Sequence, residues 1–86
     1  MHRIVRVQPE HDFVLRVWFS TGEVGLFDAG PYLDGPIYQP LREADYFRRV
    51  VVDPIAGTVC WPNGADFCPD VVYRDAICGT TTPSKS

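Results

Sequence analysis

The fold of this chain is decided by residues 58–73, which read TVCWPNGADFCPDVVY. The β-branched and aromatic residues at 58–61 predict a strand, and the Pro-Asn-Gly sequence that follows Trp61 predicts a tight turn. Pro69 favours the start of a short helix, because the N–H group that proline lacks is not needed in a first helical turn. The stretch therefore predicts a strand, a turn and a helix, and it contains no recognisable reactive group.

Upstream of this stretch, residues 13–19 have the strongest strand pattern in the chain, and residues 4–7 predict a shorter strand before it. Side chains of the strand at 13–19 alternate between two faces. The apolar face carries Phe13, Leu15, Val17 and Phe19. The mixed face carries Val14, Arg16 and Trp18. We expect the apolar set to face the core. Gly22 can adopt a positive φ, so a hairpin is predicted between this strand and residues 23–27.

The middle of the chain predicts a loop followed by a helix. Residues 28–36 contain so many glycines and prolines that no regular element is expected there. Leu41, Ala44 and Phe47 recur at three-residue steps, which predicts a helix over 41–49 with one narrow apolar face.

Strand patterns at 50–53 and 58–61 predict a second hairpin, which gives the element order β-β-β-α-β-β-α. This order predicts an α+β fold of two layers, a small and mostly antiparallel sheet with the helices on one face. The 86 residues have room for one domain, which we place at residues 1–78. The polar residues 79–86 predict a flexible tail.

A family resemblance is carried mainly by residues 61–73, in the pattern WPNGADFxPDxxY. Three upstream features agree with it, namely FSTGEV at 19–24, Leu41 followed by Phe47, and VVVD at 50–53. On these residues the chain resembles the bacterial family named domain of unknown function 2442. The resemblance implies the same two-layer α+β arrangement. It also implies a stand-alone member without the C-terminal helix-turn-helix domain that some relatives have.

The composition is that of a soluble globular protein. Apolar residues make up 45% of the chain, and the formal net charge at pH 7 is -3. We expect no transmembrane helix, because the chain has no run of about 18 apolar residues. The first residues enter a strand pattern without the apolar segment of a signal peptide, so we expect a cytoplasmic protein with no membrane partner.

Nucleic acid is not favoured as a partner, because the chain is acidic and neutralisation of phosphates dominates such binding. Seven of the eight basic residues are arginines, however, and Arg48 and Arg49 are adjacent. A small basic patch therefore stays open as an alternative.

The cysteines do not predict a disulfide framework or a zinc site. Cys60, Cys68 and Cys78 are an odd number, and their spacing does not match paired zinc ligands. His2 and His11 add ligand types but no ligand geometry. We expect Cys60 and Cys68 to be small buried hydrophobic residues, and we expect neither a metal nor another cofactor.

Asp66 is the residue most suggestive of chemistry, because a carboxylate after a turn could act as a general base or hold a ligand. No histidine or second acid accompanies it in the pattern. The favoured interpretation is a structural carboxylate that accepts backbone N–H groups near the helix start at Pro69. Trp61, Asn63 and Tyr73 belong to the same group, as residues of a structural turn or of a site.

The leading hypothesis is a non-enzymatic protein-interaction or regulatory module, with no catalytic residue and no cofactor-binding residue. Arg16 and Trp18 share one strand face and have the composition of an interface hot spot, so they are the predicted partner-binding residues. The resemblance implies an antitoxin-like accessory role beside another small bacterial protein. The alternatives are a nucleic-acid-associated regulatory domain and a small-ligand-binding domain.

We also expect a symmetric homodimer. An open sheet of about five short strands has two edges with unpaired backbone groups. The mixed strand face with Val14 and Trp18 is left partly exposed in a two-layer fold. Association through an edge or through this face would bury apolar surface that a small chain covers poorly by itself.

Overall fold

The computed structural model describes residues 2–78. Its strands are β1 (Ile4–Pro9), β2 (Val14–Phe19), β3 (Val24–Asp28), β4 (Val51–Asp53) and β5 (Thr58–Cys60). Its helical segments are two 3₁₀ helices (Gly30–Tyr32 and Pro36–Arg42), α1 (Ala44–Phe47), α2 (Pro69–Tyr73) and a π-helical turn (Arg74–Cys78). The α+β class predicted from the sequence is confirmed. The predicted tail at 79–86 lies outside the described residues.

The strands form two antiparallel sheets, whereas one sheet was expected. β1, β2 and β3 make a three-stranded sheet in sequential order, and β4 pairs with β5 in a separate hairpin. β1 packs beside the second hairpin, and the Ile4 N–H donates to the Gly57 carbonyl at 2.9 Å. The ladder does not continue from β1 to β4, since a bulge interrupts β1 between Ile4 and Arg6 and Pro9 has no N–H to donate.

The predicted helix over 41–49 is shorter and divided. Leu41 belongs to the 3₁₀ helix that also contains Pro40, and α1 begins only after Glu43, whose backbone is extended (φ -82°, ψ 125°). The extended backbone of Glu43 interrupts the helical conformation, so Leu41 and Phe47 lie in two separate segments. Leu41 and Phe47 are nevertheless both buried, whereas Ala44, the third position of the predicted apolar face, is exposed.

Two local predictions are wrong. The segment 28–36, predicted to have no regular element, contains the 3₁₀ helix Gly30–Tyr32, and the Asp28 carboxylate accepts the Gly30 N–H at its start. The predicted strand at 13–19 begins one residue late, at Val14, because Phe13 has a positive φ of 62° and closes the preceding turn.

The apolar face predicted for β2 is confirmed as the core face. Leu15 and Val17 are fully buried and Phe19 is 2% exposed. The core joins this face to the second hairpin and the helices, through Ile4, Leu15, Val17, Phe19, Phe27, Ala29, Leu33, Leu41, Phe47, Val50, Val59, Trp61, Ala65, Phe67 and Val72. No helix within residues 2–78 has the length and apolar character needed to cross a membrane.

The π-helical turn packs closely against β3. Tyr32 donates its hydroxyl hydrogen to the Asp75 carboxylate, and the Arg74 Nε donates to the same carboxylate at 3.1 Å. At Gly25 the approach is so close that an added Cβ would lie 2.6 Å from the carbonyl oxygen of Ala76. A side chain at residue 25 therefore cannot be accommodated without moving the backbone of this turn.

Gly25→Ala is expected to lower the free energy of unfolding by about 1–3 kcal/mol, the usual cost of overpacking. Chemical denaturation measures this change. Gly35→Ala is the matched control, because the Gly35 backbone is extended and its added Cβ would only touch the Tyr38 ring at 3.4 Å. Equal stability of the two variants would contradict the close packing of the π-helical turn on β3.

Candidate protein-binding face

The three-stranded sheet has one face on the core and one face away from it, which we call the outer face. Residues paired across an antiparallel ladder point to the same side of the sheet. The pairing places two full rows on the outer face, from β1 through β2 to β3: Arg6, Trp18 and Val24, and then Gln8, Arg16 and Leu26. Val14 lies beside Asp28 at the end of the same face.

Trp18 is the centre of the first row. The guanidinium carbon of Arg6 lies 4.6 Å from the centre of the Trp18 ring. This cation–π contact is worth about 0.5–1 kcal/mol at an exposed position. On the other side of the indole, Val24 is 45% exposed. The row is thus an aromatic and aliphatic surface bordered by a cation.

Arg16 is the centre of the second row. Its Nε donates to the Glu10 carboxylate at 3.1 Å, and the Gln8 amide donates to the same carboxylate oxygen at 3.2 Å. Leu26 continues the row and is 50% exposed. The structure therefore brings the two predicted partner-binding residues, Arg16 and Trp18, onto one open surface.

A shallow depression of about 200 Å³ adjoins the second row and is lined by Glu10, His11, Val14, Arg16 and Leu26. Ligand pockets usually enclose about 300–1,000 Å³ and bury most of the ligand. This depression is therefore smaller and more open than an enclosed ligand pocket.

The charges on the outer face are not fully balanced. Arg16 forms an ion pair with the Glu10 carboxylate, whereas Arg6 makes no ion pair with any residue in the described part of the chain. The Asp28 carboxylate is engaged by the Gly30 N–H at 3.0 Å. The outer face therefore combines the Arg6 guanidinium with the exposed apolar side chains of Val24 and Leu26.

The conspicuous turn after Trp61 is a scaffold element. The Trp61 indole N–H donates to the Phe47 carbonyl at 2.9 Å, inside the core. Asn63 donates to the Ile37 carbonyl at 2.8 Å and accepts the Ala65 N–H at 3.1 Å. Trp61 and Asn63 therefore tie the turn to two other segments of the chain.

The predicted role of the Asp66 side chain is wrong. Asp66 is exposed, and none of the residues 2–78 donates a hydrogen bond to its carboxylate. Its backbone carbonyl instead accepts the Tyr38 hydroxyl at 2.9 Å, and α2 starts at Pro69 with no side-chain cap on its first turn. The Asn63 amide fixes the turn, so a contact from the Asp66 carboxylate is not needed.

Tyr73 lies at the other end of the sheet from this turn. Its hydroxyl donates to the Glu23 carboxylate at 2.8 Å, and its ring stacks on His2 at 3.6 Å between ring centres. The hydrogen bond from Tyr73, and then that from Thr21, lowers the pKa of Glu23, and the nearby His2 acts in the same direction. Trp61, Asn63, Asp66 and Tyr73 therefore do not form a single site.

The cysteines match the expectation of small buried hydrophobic residues only in part. Cys60 is partly buried, and desolvation raises the pKa of its thiol, which disfavours the nucleophilic thiolate. Cys68 is exposed, contrary to the expected burial. Within residues 2–78, no three His, Cys, Asp or Glu side chains come together in a way that could hold a metal ion.

Sequence reasoning missed Arg6 and Glu10 as members of the outer face. Their place depends on the register between β1 and β2, which is set by the turn at Asp12 and Phe13 and by the bulge in β1. The alternation of side chains within β2 is visible in the sequence. The bulge in β1 has no sequence signal of its own, so the β1 residues that pair with Arg16 and Trp18 could not be assigned.

Residues 2–78 thus form an α+β fold in which one face of the three-stranded sheet packs on the core and the other carries Arg6, Arg16 and Trp18. A comparison with protein-family models matches residues 4–77 to the family described as protein of unknown function (DUF2442), and the chain belongs to that family. The resemblance seen in the sequence is thereby confirmed. No curated protein and no solved structure matches the chain.

Asn63→Ala is expected to lower the free energy of unfolding by about 1–2 kcal/mol, because two hydrogen bonds of the turn are lost. Asp66→Ala is expected to change it by less than about 0.5 kcal/mol, since an exposed carboxylate without donors contributes little. Urea denaturation of both variants measures the difference. A larger loss in Asp66→Ala than in Asn63→Ala would refute the assignment of the turn to Asn63.

Tyr73→Phe is expected to raise the pKa of Glu23 toward its ordinary value, because the main hydrogen bond to the carboxylate is removed. A depressed pKa stabilises the fold above the unfolded-state pKa, and this contribution is lost as the pH falls through the folded-state pKa. An NMR titration of the Glu23 carboxyl carbon measures the shift, with Tyr46→Phe as control. An unchanged Glu23 pKa in Tyr73→Phe would show that this hydrogen bond is not formed in solution.

Proposed function

We propose that this protein is a non-enzymatic protein-interaction module whose outer face docks a partner protein. The observation that carries the proposal is the composition of this face: Trp18 with Arg6 and Arg16, beside the half-exposed Val24 and Leu26. Tryptophan and arginine are the residues most enriched at the energetic centres of protein interfaces. Large aliphatic side chains at their border supply the apolar area that a partner would cover.

The shape of the outer face supports a protein partner over a small ligand. The rows of side chains lie on a sheet surface, and the depression beside Arg16 is shallow. A small ligand needs a pocket that surrounds most of its surface. A protein partner can instead cover a broad and gently shaped area.

The charge supports a protein partner over nucleic acid. The net charge of the chain is -3, and the Glu10 carboxylate beside Arg16 would repel phosphates at the centre of the face. Nucleic-acid affinity comes largely from the cations that neutralise phosphates, and few are available here. Arg6 and Arg16 are better suited to recognising one or two carboxylates of a protein.

The proposed setting is a bacterial, cytoplasmic regulatory system. In it the chain serves as an antitoxin-like accessory protein whose partner is a second small protein. This setting rests on the resemblance of residues 61–73 to the bacterial family, and the docking mechanism rests on the outer face. The partner is expected to place a carboxylate near Arg6 and apolar side chains over Trp18 and Leu26.

The test is to capture the partner with the full chain in its bacterial host, purify it, and measure its dissociation constant. Trp18→Glu is expected to weaken the binding at least tenfold, because it removes the aromatic centre and adds a charge opposed to the partner's carboxylate. Ile55→Glu is the matched control. Ile55 is 90% exposed on the turn between β4 and β5, so the same substitution there should leave the affinity within about twofold.

Both variants must first show the thermal stability of the unmodified protein. A partner that binds Trp18→Glu as tightly as the unmodified chain would contradict the proposed face. Recovery of bound nucleic acid with salt-dependent affinity would favour the nucleic-acid alternative, and recovery of a small molecule would favour the ligand-binding alternative.

A further inference from the structure

The outer edge of β3 has a regular row of backbone groups that β2 does not use. Two hydrogen bonds fix the pattern, from Phe19 N–H to Glu23 O at 2.8 Å and from Ala29 N–H to Phe13 O at 3.0 Å. Bonded and non-bonded pairs alternate along an antiparallel ladder, so Gly25 and Phe27 direct their backbone groups at β2. Val24, Leu26 and Asp28 therefore direct their N–H and C=O groups away from the sheet.

Nothing in residues 2–78 is hydrogen-bonded to these outward backbone groups. Val24, Leu26 and Asp28 are also the exposed residues of β3. The π-helical turn packs against the strand at Gly25, whose missing side chain would point to the core side of the sheet. Within residues 2–78, no hydrogen bond therefore occupies this edge along the length of β3.

The opposite edge of the same sheet is protected. β1 contains a bulge between Ile4 and Arg6, its Pro9 has no N–H, and it packs beside β4. Bulges, prolines and covering elements are the usual means by which proteins block a sheet edge. β3 contains neither a bulge nor a proline, and among residues 2–78 the π-helical turn packs on its core side at Gly25, so the two edges differ in their capacity to pair with another strand.

We propose that the β3 edge pairs antiparallel with the β3 edge of a second copy of this chain, with Leu26 on the two-fold axis. In this register Leu26 lies opposite Leu26 of the second copy, and Val24 lies opposite Asp28. Every outward N–H group of one strand then meets an outward C=O group of the other. The contact is symmetric, with the same surface used by both copies.

The length of the open edge favours a second copy over a longer foreign strand. β3 spans Val24–Asp28, with the turn at Gly22 before it and the 3₁₀ helix Gly30–Tyr32 after it. An identical short strand matches this edge without overhang. The pairing also joins the two outer faces into one surface, on which the Arg16 and Leu26 rows of both copies are continuous.

The test combines light scattering with two substitutions at one residue. The unmodified chain is expected to be mostly dimeric at about 100 µM and mostly monomeric at about 1 µM. Leu26→Pro removes an outward N–H without removing a bond to β2, and it should weaken dimerisation at least tenfold. Leu26→Thr keeps the N–H and a strand-favouring side chain, and it should stay within about threefold.

Trp18→Glu distinguishes dimerisation through the β3 edge from binding through the outer face. This variant should no longer bind the partner protein but should still form the dimer. A monomeric unmodified chain at about 100 µM would overturn the proposal. Dissociation by Trp18→Glu together with an intact Leu26→Pro dimer would overturn it in favour of a face-to-face contact.

Amide hydrogen exchange on the unmodified protein tests the pairing through β3 even if Leu26→Pro fails to fold. Protection of the Val24, Leu26 and Asp28 amides is expected to rise with protein concentration, while that of Val7 stays constant. A rise confined to β1, or no rise at all, would contradict pairing through β3.

Discussion

The position of the Phe67 ring is the constraint on which the rest of the structure depends. The turn after β5 closes with a hydrogen bond from Trp61 N–H to Ala65 O at 2.9 Å, and Cys60 then pairs with Asp66 across it. The chain doubles back and directs the next side chain into the core. There Phe67 contacts four other aromatic rings, those of Phe27, Tyr32, Tyr38 and Trp61. One ring thus connects the three-stranded sheet to the second hairpin and to the segment between them.

This arrangement explains why one sheet face stays open. The large apolar side chains of the helices and of the second hairpin pack on the side where Phe27 and Phe67 meet. Within residues 2–78, no helix or strand packs on the other side of the three-stranded sheet. Trp18, Val24 and Leu26 remain at the surface, with arginines beside them. The proposed roles of this face and of the β3 edge both rest on surface that the described core leaves exposed.

The sequence predicted those features that depend on local patterns. Alternation alone assigned Leu15 and Val17 to the core, because the period of a strand places every second side chain on one face. Asn63 was placed in a structural turn or a site, but its partner was not predicted, since the Ile37 carbonyl is 26 residues away in the chain. Asp66 was predicted to fix the turn, and the Asn63 amide does so instead, because both residue types favour turns and only the fold decides between them.

The division into two sheets was likewise not predicted, because it depends on how distant segments of the chain come together. Each strand was visible in the sequence, but whether β1 pairs with β4 depends on a bulge and on the path of the connecting segment. The face with Arg16 and Trp18 was predicted within one strand. Its extension to Arg6, Val24 and Leu26 required the register of both hairpins, which only the structure provides.

Oxidative labelling of the two tryptophans, with and without the partner protein, tests the central claim most directly. Trp61 is 3% exposed and should stay unlabelled in both states, whereas the partly exposed Trp18 should be labelled in the free protein and protected in the complex. Equal labelling of Trp18 in the free protein and in the complex would contradict the account.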